Sequence, residues 1–416
     1  MNLIPADKRK IINDPVHGFI KIPSAFVYDI IEHPFFQRLR RIKQLGLTSY
    51  VYPGATHSRF QHTLGAAYLM DQAIQNIRLK GLEITDEEAE AATIAILLHD
   101  IGHGPFSHGL EHSIIENFTH EDVSTLLMNK LNEEFNGRLG LAIKIFNNNY
   151  YKRFLHQLVS SQLDMDRLDY LKRDSFYTGV SEGVIGSDRI IKMLNVINDN
   201  LVLEAKGIYS IEKFLIARRL MFWQVYFHKT VLAAENLLVK VLLRAKNIAL
   251  HDHGLFAVNG LKFFFRNTIT RNNIYQKRDD IISNFVNLDD NDIISSIKEW
   301  INHPDRVLST LSYNLINRKL PKIIMREQPF SKGYVKNVVK QSVEVYDWPL
   351  KDIDFLVFTD SISNKTYSAF DDKIKILYNS GEIKDIVDAS DIFNVSVLTK
   401  IEKKYFLCYP DLVRPE

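Results

Sequence analysis

The densest group of chemically capable side chains lies in one otherwise apolar stretch, Leu97-Leu-His-Asp-Ile-Gly-His-Gly-Pro-Phe-Ser-His108. His99 and Asp100 close a run of aliphatic residues, where an ionised carboxylate is costly unless it is paired or binds a cation. Adjacent helical side chains diverge by about 100°, so these two can share an ion only beside the helix end, with other segments completing the shell. Further donors exist in His57-Ser-Arg-Phe-Gln-His62 and in Leu163-Asp-Met-Asp-Arg-Leu-Asp-Tyr170, which carries Asp164, Asp166 and Asp169. His103, His108, His112 and His120 follow closely. The chain holds 14 histidines and one cysteine, Cys408, so thiolate clusters and an intrachain disulfide are excluded. Imidazole and carboxylate donors suit a catalytic ion better than a structural zinc.

Cationic side chains surround these donors in the sequence. Arg59 precedes His62 by three residues, one helical turn, so a phosphate held by its guanidinium can reach an ion held by His62. Arg167 is a second candidate. Asp166, Tyr170 and Asp174 recur at every fourth position, one stripe of a helix. A second stripe, Arg218, Phe222 and Tyr226 with Lys229 next, reads either as a ligand-facing row or as aromatic packing with snorkelling cations.

These residues need a scaffold, and the periodicity supplies a helical one. Apolar positions at a spacing of 3.6 predict helices over 24–31 and 35–44, split at Pro34, and over 57–79, 121–134, 151–173 and 211–250. Thr85-Asp-Glu-Glu88 is a capping box that opens a helix through His99. Leu201–Glu204 and Ile208–Tyr209, joined around Gly207, predict a small hairpin. Beyond Gly333, short β-branched runs such as VKNVVKQSVEVY and IDFLVFTD predict a smaller α+β region. The fold class expected is mainly α: a helical catalytic domain over 1–255 with its core at about 50–180, a helical extension over 256–330, and an α+β region over 331–416.

Composition narrows the classes. With 416 residues, 46% hydrophobic and 25% charged, the chain is an ordinary globular protein rather than a disordered or disulfide-stapled one. The 52 basic and 50 acidic side chains leave +2, too little for a global field that collects nucleic acid or anionic lipid. No apolar run approaches the roughly 18 residues a membrane span needs. A cytoplasmic protein without membrane attachment is expected.

At this point the sequence resembles the HD-domain metal-dependent phosphohydrolases, and among them the SAM-and-HD-domain type of deoxynucleoside triphosphate triphosphohydrolase. The resemblance rests on Ile12-Asn-Asp-Pro-Val-His-Gly18, Phe36-Gln-Arg-Leu-Arg-Arg-Ile-Lys-Gln-Leu-Gly46, Tyr52 to His62, His99 to His108 and Asp164 to Asp174, in family order. It implies an HD-type helical bundle and a divalent ion (Mn, Fe, Mg, Zn or Ni) on His62, His99, Asp100 and Asp166. It implies substrate contacts from Gln44, Leu45, Arg59, Arg167, Tyr170, Asp174, Arg218 and Tyr226, with Phe222 standing where relatives have histidine. Catalysis falls to His103, His108, Glu111 and His120; His108 is expected as the proton donor and Glu111, where aspartate is more usual, as its orienter. An activating nucleotide would bind Lys10, Asn13, Asp14, Glu32, Gln37 and Arg40 between subunits of a homodimer or tetramer. The implied reaction releases deoxynucleoside and inorganic triphosphate. Two alternatives stand beside it: an HD phosphohydrolase for another nucleotide, and a silent sensor that binds nucleotide or, weakly, nucleic acid.

Overall fold

The computed structural model describes residues 10–106, 119–251, 254–267, 269, 277–364, 366–368, 372–390 and 400–415. Three helices form the centre: Arg59–Leu79, Asp86–Leu98 and Met165–Thr178. Each starts where the sequence satisfies its orphan amides. Ser58 and Gln61 make a reciprocal capping box, Thr85 and Glu88 make another, and Asp164 accepts from the Arg167 amide. The first helix buries Ala66, Leu69, Met70, Ala73, Ile74 and Ile77 against its neighbours. Each large side chain in that set contributes roughly 1.5–3 kcal/mol by leaving water.

Gly65 sets how closely the first and third helices approach. A Cβ there would lie 2.0 Å from Asp169 Oδ1 and 2.3 Å from the Arg173 guanidinium, so only glycine leaves room for this buried ion pair. Gly102 does the same on the other side of His99, where a Cβ would lie 2.2 Å from the His120 carbonyl. The Met165–Thr178 helix then stops at Gly179, whose φ of +74° is a left-handed cap.

Three small sheets border the helices. Strands Ile11–Asp14 and Gly18–Lys21 form an antiparallel hairpin closed by the pairing of Asp14 with Gly18. A four-stranded sheet runs Leu194–Ile197, Asn200–Glu204, Lys375–Leu377 and Ile383–Asp385, with Leu203 paired in parallel to Ile376. In the three-stranded sheet, Glu402–Tyr409 lies between Lys322–Arg326 and Phe358–Asn364. Thus the stretch 256–330, read as a helical extension, also lends a strand to the C-terminal sheet.

Four sequence expectations are corrected. The single helix over 211–250 is two, Ile208–Met221 and Lys229–Ala249, separated by a π-helical turn at Phe222–Tyr226. The stretch 151–173 likewise splits into Arg153–Val159 and Met165–Thr178, because Asp164 prefers to cap the second helix. The hairpin turns at Asn198 and Asp199, both at positive φ, while Gly207 precedes a helix. VKNVVKQSVEVY lies in a helix, Lys332–Tyr346, because the Ser331 cap and the 3.6-residue spacing of Val335, Val338, Ser342 and Val343 outweigh β-branched propensity.

Candidate active site

His62, on the second turn of the Arg59–Leu79 helix, and His99, which caps the end of Asp86–Leu98, turn their Nε2 atoms toward Asp166 on the first turn of Met165–Thr178. His62 Nε2 lies 3.1 Å and His99 Nε2 3.5 Å from Asp166 Oδ1. One ligand atom from each of the three falls within 4.8 Å of the others. The Nδ1 atoms settle the tautomers. His62 Nδ1 donates to Asp169 Oδ2 at 2.8 Å and His99 Nδ1 to the Ile96 carbonyl at 2.6 Å. Carboxylate and carbonyl only accept, so Nδ1 carries the proton, and each ring, when neutral, presents its Nε2 lone pair to the centre. Both Nε2 atoms are buried and lack a hydrogen-bond partner of good geometry. That donor set fits a divalent cation.

The field points the same way. Burial opposes a positive charge on His62, but Asp166, Asp169 and Asp100 outweigh it and raise the imidazole to about 10. Burial likewise opposes charge on His99, which Asp100 and Asp166 overcome in raising it. An anionic cage that attracts a proton this strongly attracts a metal ion for the same reason. Asp100 lies at its rim. Oδ1 is 3.2 Å from His99 Nε2 and 3.3 Å from His103 Nε2; Oδ2 is 3.7 Å from His62 Nε2 and pairs with Arg59. Arg59, expected as a phosphate clamp, is thus engaged by a carboxylate of the cage. His103 stacks on His120 with ring centroids 4.0 Å apart. Burial and Arg59 hold His103 well below the ordinary histidine range. His108 and Glu111 lie outside the described residues, as does His112.

A second polar layer holds the first. Asp169, fully buried, accepts from His62, from His17 Nε2 at 2.7 Å and from Arg173 at 2.8 and 3.0 Å. Arg173 also donates to Asp14 at 2.8 and 3.2 Å. Asp14, expected as an activator contact, is turned inward in this chain, its Oδ1 also accepting from the Val16 and His17 amides. Gln37 is engaged locally as well: it donates to the Ile31 carbonyl and accepts from Arg40, whose guanidinium lies 3.6 Å over the Phe60 ring. Lys10, Asn13 and Glu32 are exposed.

On the far side, Tyr226 donates to Asp174 Oδ2 at 2.7 Å, and His57 Nε2 meets Asp174 Oδ1 at 2.7 Å. His57 stacks on Tyr177 and Tyr170 meets Tyr226 edge-on at 6.2 Å. Tyr226 ends the π-helical turn and meets Phe222 edge-on at 5.2 Å, while the Arg218 guanidinium lies 5.9 Å over the Phe222 ring. Arg218 keeps two buried guanidinium nitrogens, Nε and Nη1, without partners, and Arg167 keeps its Nε so. Gln44 Oε1 is buried and unpartnered, and Leu45 is half-buried beside it in the chain.

Residues 59–173 match the HD domain and residues 185–256 the HD associated region. The Bacillus subtilis protein YwfO is 32% identical over 98% of this chain and 93% of its own length. The chain belongs to the HD-domain phosphohydrolases. A crystal structure of a phosphohydrolase from Bacteroides thetaiotaomicron VPI-5482 is similar with a TM-score of 0.93 and 56% identity, covering 97% of this chain and all of that one. The Dictyostelium discoideum homologue of the deoxynucleoside triphosphate triphosphohydrolase SAMHD1 is 34% identical over 57% of this chain. The chain spans about half, 49%, of that relative's length. Within this HD domain, the pair His99-Asp100 and the partners His62 and Asp166 were legible as candidates. The supporting roles of His17, His57 and Arg173 were not: His17 and His57 lie 152 and 117 positions from Asp169 and Asp174, and Arg173, though four residues from Asp169, joins it to Asp14 across 159 positions. Among the described residues, no helix is long and apolar enough to cross a membrane.

Proposed function

We propose that this chain hydrolyses deoxynucleoside triphosphates to deoxynucleoside and inorganic triphosphate. The observation that carries the reading is Arg218, a half-buried side chain whose Nε and Nη1 atoms are themselves buried and unpartnered. An unsatisfied guanidinium is costly, and a polyphosphate is the anion that would satisfy it together with Arg167. The similarity to SAMHD1-type enzymes supports the same substrate class.

His62, His99, Asp166 and Asp100 would hold a divalent ion, which would supply Lewis acidity and lower the pKa of a water towards about 7. The protein groups do the rest. Arg218 and Arg167 neutralise phosphate charge, and Arg59 exchanges Asp100 for a phosphate oxygen when substrate arrives. Asp174, oriented by His57 and Tyr226, accepts from the sugar 3′-hydroxyl, while Gln44 and Leu45 close on the 2′ edge and leave no room for a ribose hydroxyl. His108, with Glu111 as its orienter, gives a proton to the departing 5′-oxygen. Lys10, Asn13, Glu32 and Arg40 form the exposed part of an activator site between subunits.

Chromatography of products from each deoxynucleoside triphosphate, with Mn, Fe, Mg, Zn and Ni in turn, tests the reaction. Equimolar deoxynucleoside and triphosphate are expected. Monophosphate with pyrophosphate, or turnover of other nucleotides alone, overturns it. Arg218→Gln should lower kcat/KM by roughly 10- to 150-fold, the worth of a charge-assisted hydrogen bond of about 1.5–3 kcal/mol, chiefly through KM. An unchanged KM for the triphosphate removes Arg218 from the phosphate site.

A further inference from the structure

The segment beyond the HD domain reaches into the site at one point. Helix Asp290–Trp300 is capped by Asp289, which accepts from the Asn291 amide and forms a capping box with Asp292. Asp290 is therefore not needed as a cap. Its carboxylate instead leaves the helix: Oδ1 accepts from the Phe106 amide and Oδ2 from the Lys43 amide, each at 2.9 Å. The residue is 5% exposed.

Both amides belong to segments that bear on the chemistry. Phe106 ends the stretch that follows His99, Asp100 and His103 and leads directly to His108. Its φ of +51° is a left-handed backbone that an aromatic residue keeps only when its surroundings impose it. Lys43 bridges to Ser58 and precedes Gln44, whose amide donates to the His57 carbonyl at 3.0 Å. The same carboxylate thus joins the loop on the proton-transfer side to the segment on the sugar side. Arg38 repeats the junction one layer deeper. It is fully buried and donates to the carbonyls of Ile101 at 2.8 Å, His103 at 2.9 Å and Leu288 at 3.3 Å. Loop and extension are therefore held to each other by two independent clasps, and Arg41 ties the segment before Lys43 to the extension through Asp289.

We propose that Asp290 is a positioning residue of the active site, supplied from outside the HD domain, whose carboxylate fixes the His103–Phe106 loop against the Gln44 segment. The proposal rests on the hydrolase reading above and extends it to a part of the chain that the HD domain does not include. A displacement of about 1 Å between reacting groups lowers turnover by about 10²-fold, so a clasp at this junction acts on kcat rather than on nucleotide affinity.

The test compares Asp290→Asn with Asp292→Asn, which alters the capping box of the same helix and touches neither segment. Steady-state kinetics with a deoxynucleoside triphosphate, metal content, far-UV circular dichroism and amide exchange at Phe106 and Lys43 are measured on the full chain. For Asp290→Asn, kcat should fall by about 10- to 100-fold, KM should stay within about threefold, metal should remain, and both amides should exchange faster. Asp292→Asn should match wild type in all four. Unchanged kcat, or an equal loss in Asp292→Asn, overturns the proposal. If Asp290→Asn fails to fold, Asp290→Glu, with both acceptor oxygens retained on a longer arm, carries the same readouts. If the wild type cleaves a different phosphorylated nucleotide, the substrate assignment falls, and the same kcat comparison on that nucleotide decides the clasp.

Discussion

Asp166→Ala is expected to remove bound divalent metal and lower hydrolysis by at least about 10³-fold, the scale of losing the main electrostatic stabilisation of phosphate charge. The helical circular dichroism should not change. Asp166 is the carboxylate that both imidazole Nε2 atoms face, at 3.1 and 3.5 Å. Yet its side chain is 25% exposed, and it lies on the first turn of its helix rather than beneath a neighbouring one. Removing it leaves no buried donor stranded except the two imidazoles, whose Nδ1 bonds to Asp169 and Ile96 persist. In the metal-free protein stability should fall, because a counter-charge of the buried His62 is lost, but by less than the roughly 3–5 kcal/mol of breaking a fully buried pair, since Asp169 and Asp100 remain. Elemental analysis of the purified variant, kinetics and a denaturant titration check this together. Full turnover with metal retained would take Asp166 out of the ligand set.

The contrast between helices and contacts explains how much was legible beforehand. Thr85 and Glu88, or the apolar rows of the Arg59–Leu79 helix, are local signals, and each produced the element expected. The His-Asp cluster was equally visible because its residue types conflict with their apolar surroundings, and burial of an unpaired carboxylate demands an explanation. What was not legible is the long-range pairing that local propensity does not decide. Tyr226 was placed on a continuous helical stripe with Arg218. The π turn interrupts that helix, yet Arg218, Phe222 and Tyr226 still meet in order along it, and what the sequence did not show is the bond from Tyr226 to Asp174. Asp14 was named only as an activator contact implied by the resemblance, and its bond to Arg173, 159 positions away, left no local sign. Asp290 carried no sequence signal at all, since an acid at a helix start is ordinary. Its two backbone partners lie 184 and 247 positions distant.

Asp169→Asn should have the opposite profile to Asp166→Ala, although the two residues are three apart on one helix. Asp169 is completely buried beneath the site and accepts four hydrogen bonds, two of them from Arg173. Burial disfavours its charge, but Arg173 together with His17 and His62 outweighs this and holds the carboxyl well below the ordinary aspartate range. An amide of the same size keeps one accepting oxygen and turns an NH₂ toward donors. Arg173 is then left in the interior with Asp14 as its only remaining carboxylate partner among the described residues. Breaking one side of such a buried pair costs about 3–5 kcal/mol, so the unfolding midpoint in denaturant should fall steeply while the slope of the transition stays the same. A second loss follows from His62. Without a carboxylate on Nδ1 its tautomer is no longer fixed, and metal affinity should weaken by about 10- to 100-fold in whatever fraction remains folded. Asp14→Asn provides the calibration, because it removes charge from Arg173 without touching His62: stability should fall and metal affinity should hold. Wild-type stability in Asp169→Asn would show that the Asp14–Arg173–Asp169–His17 network contributes little to the fold, and the close approach of the two helices at Gly65 would then need another cause.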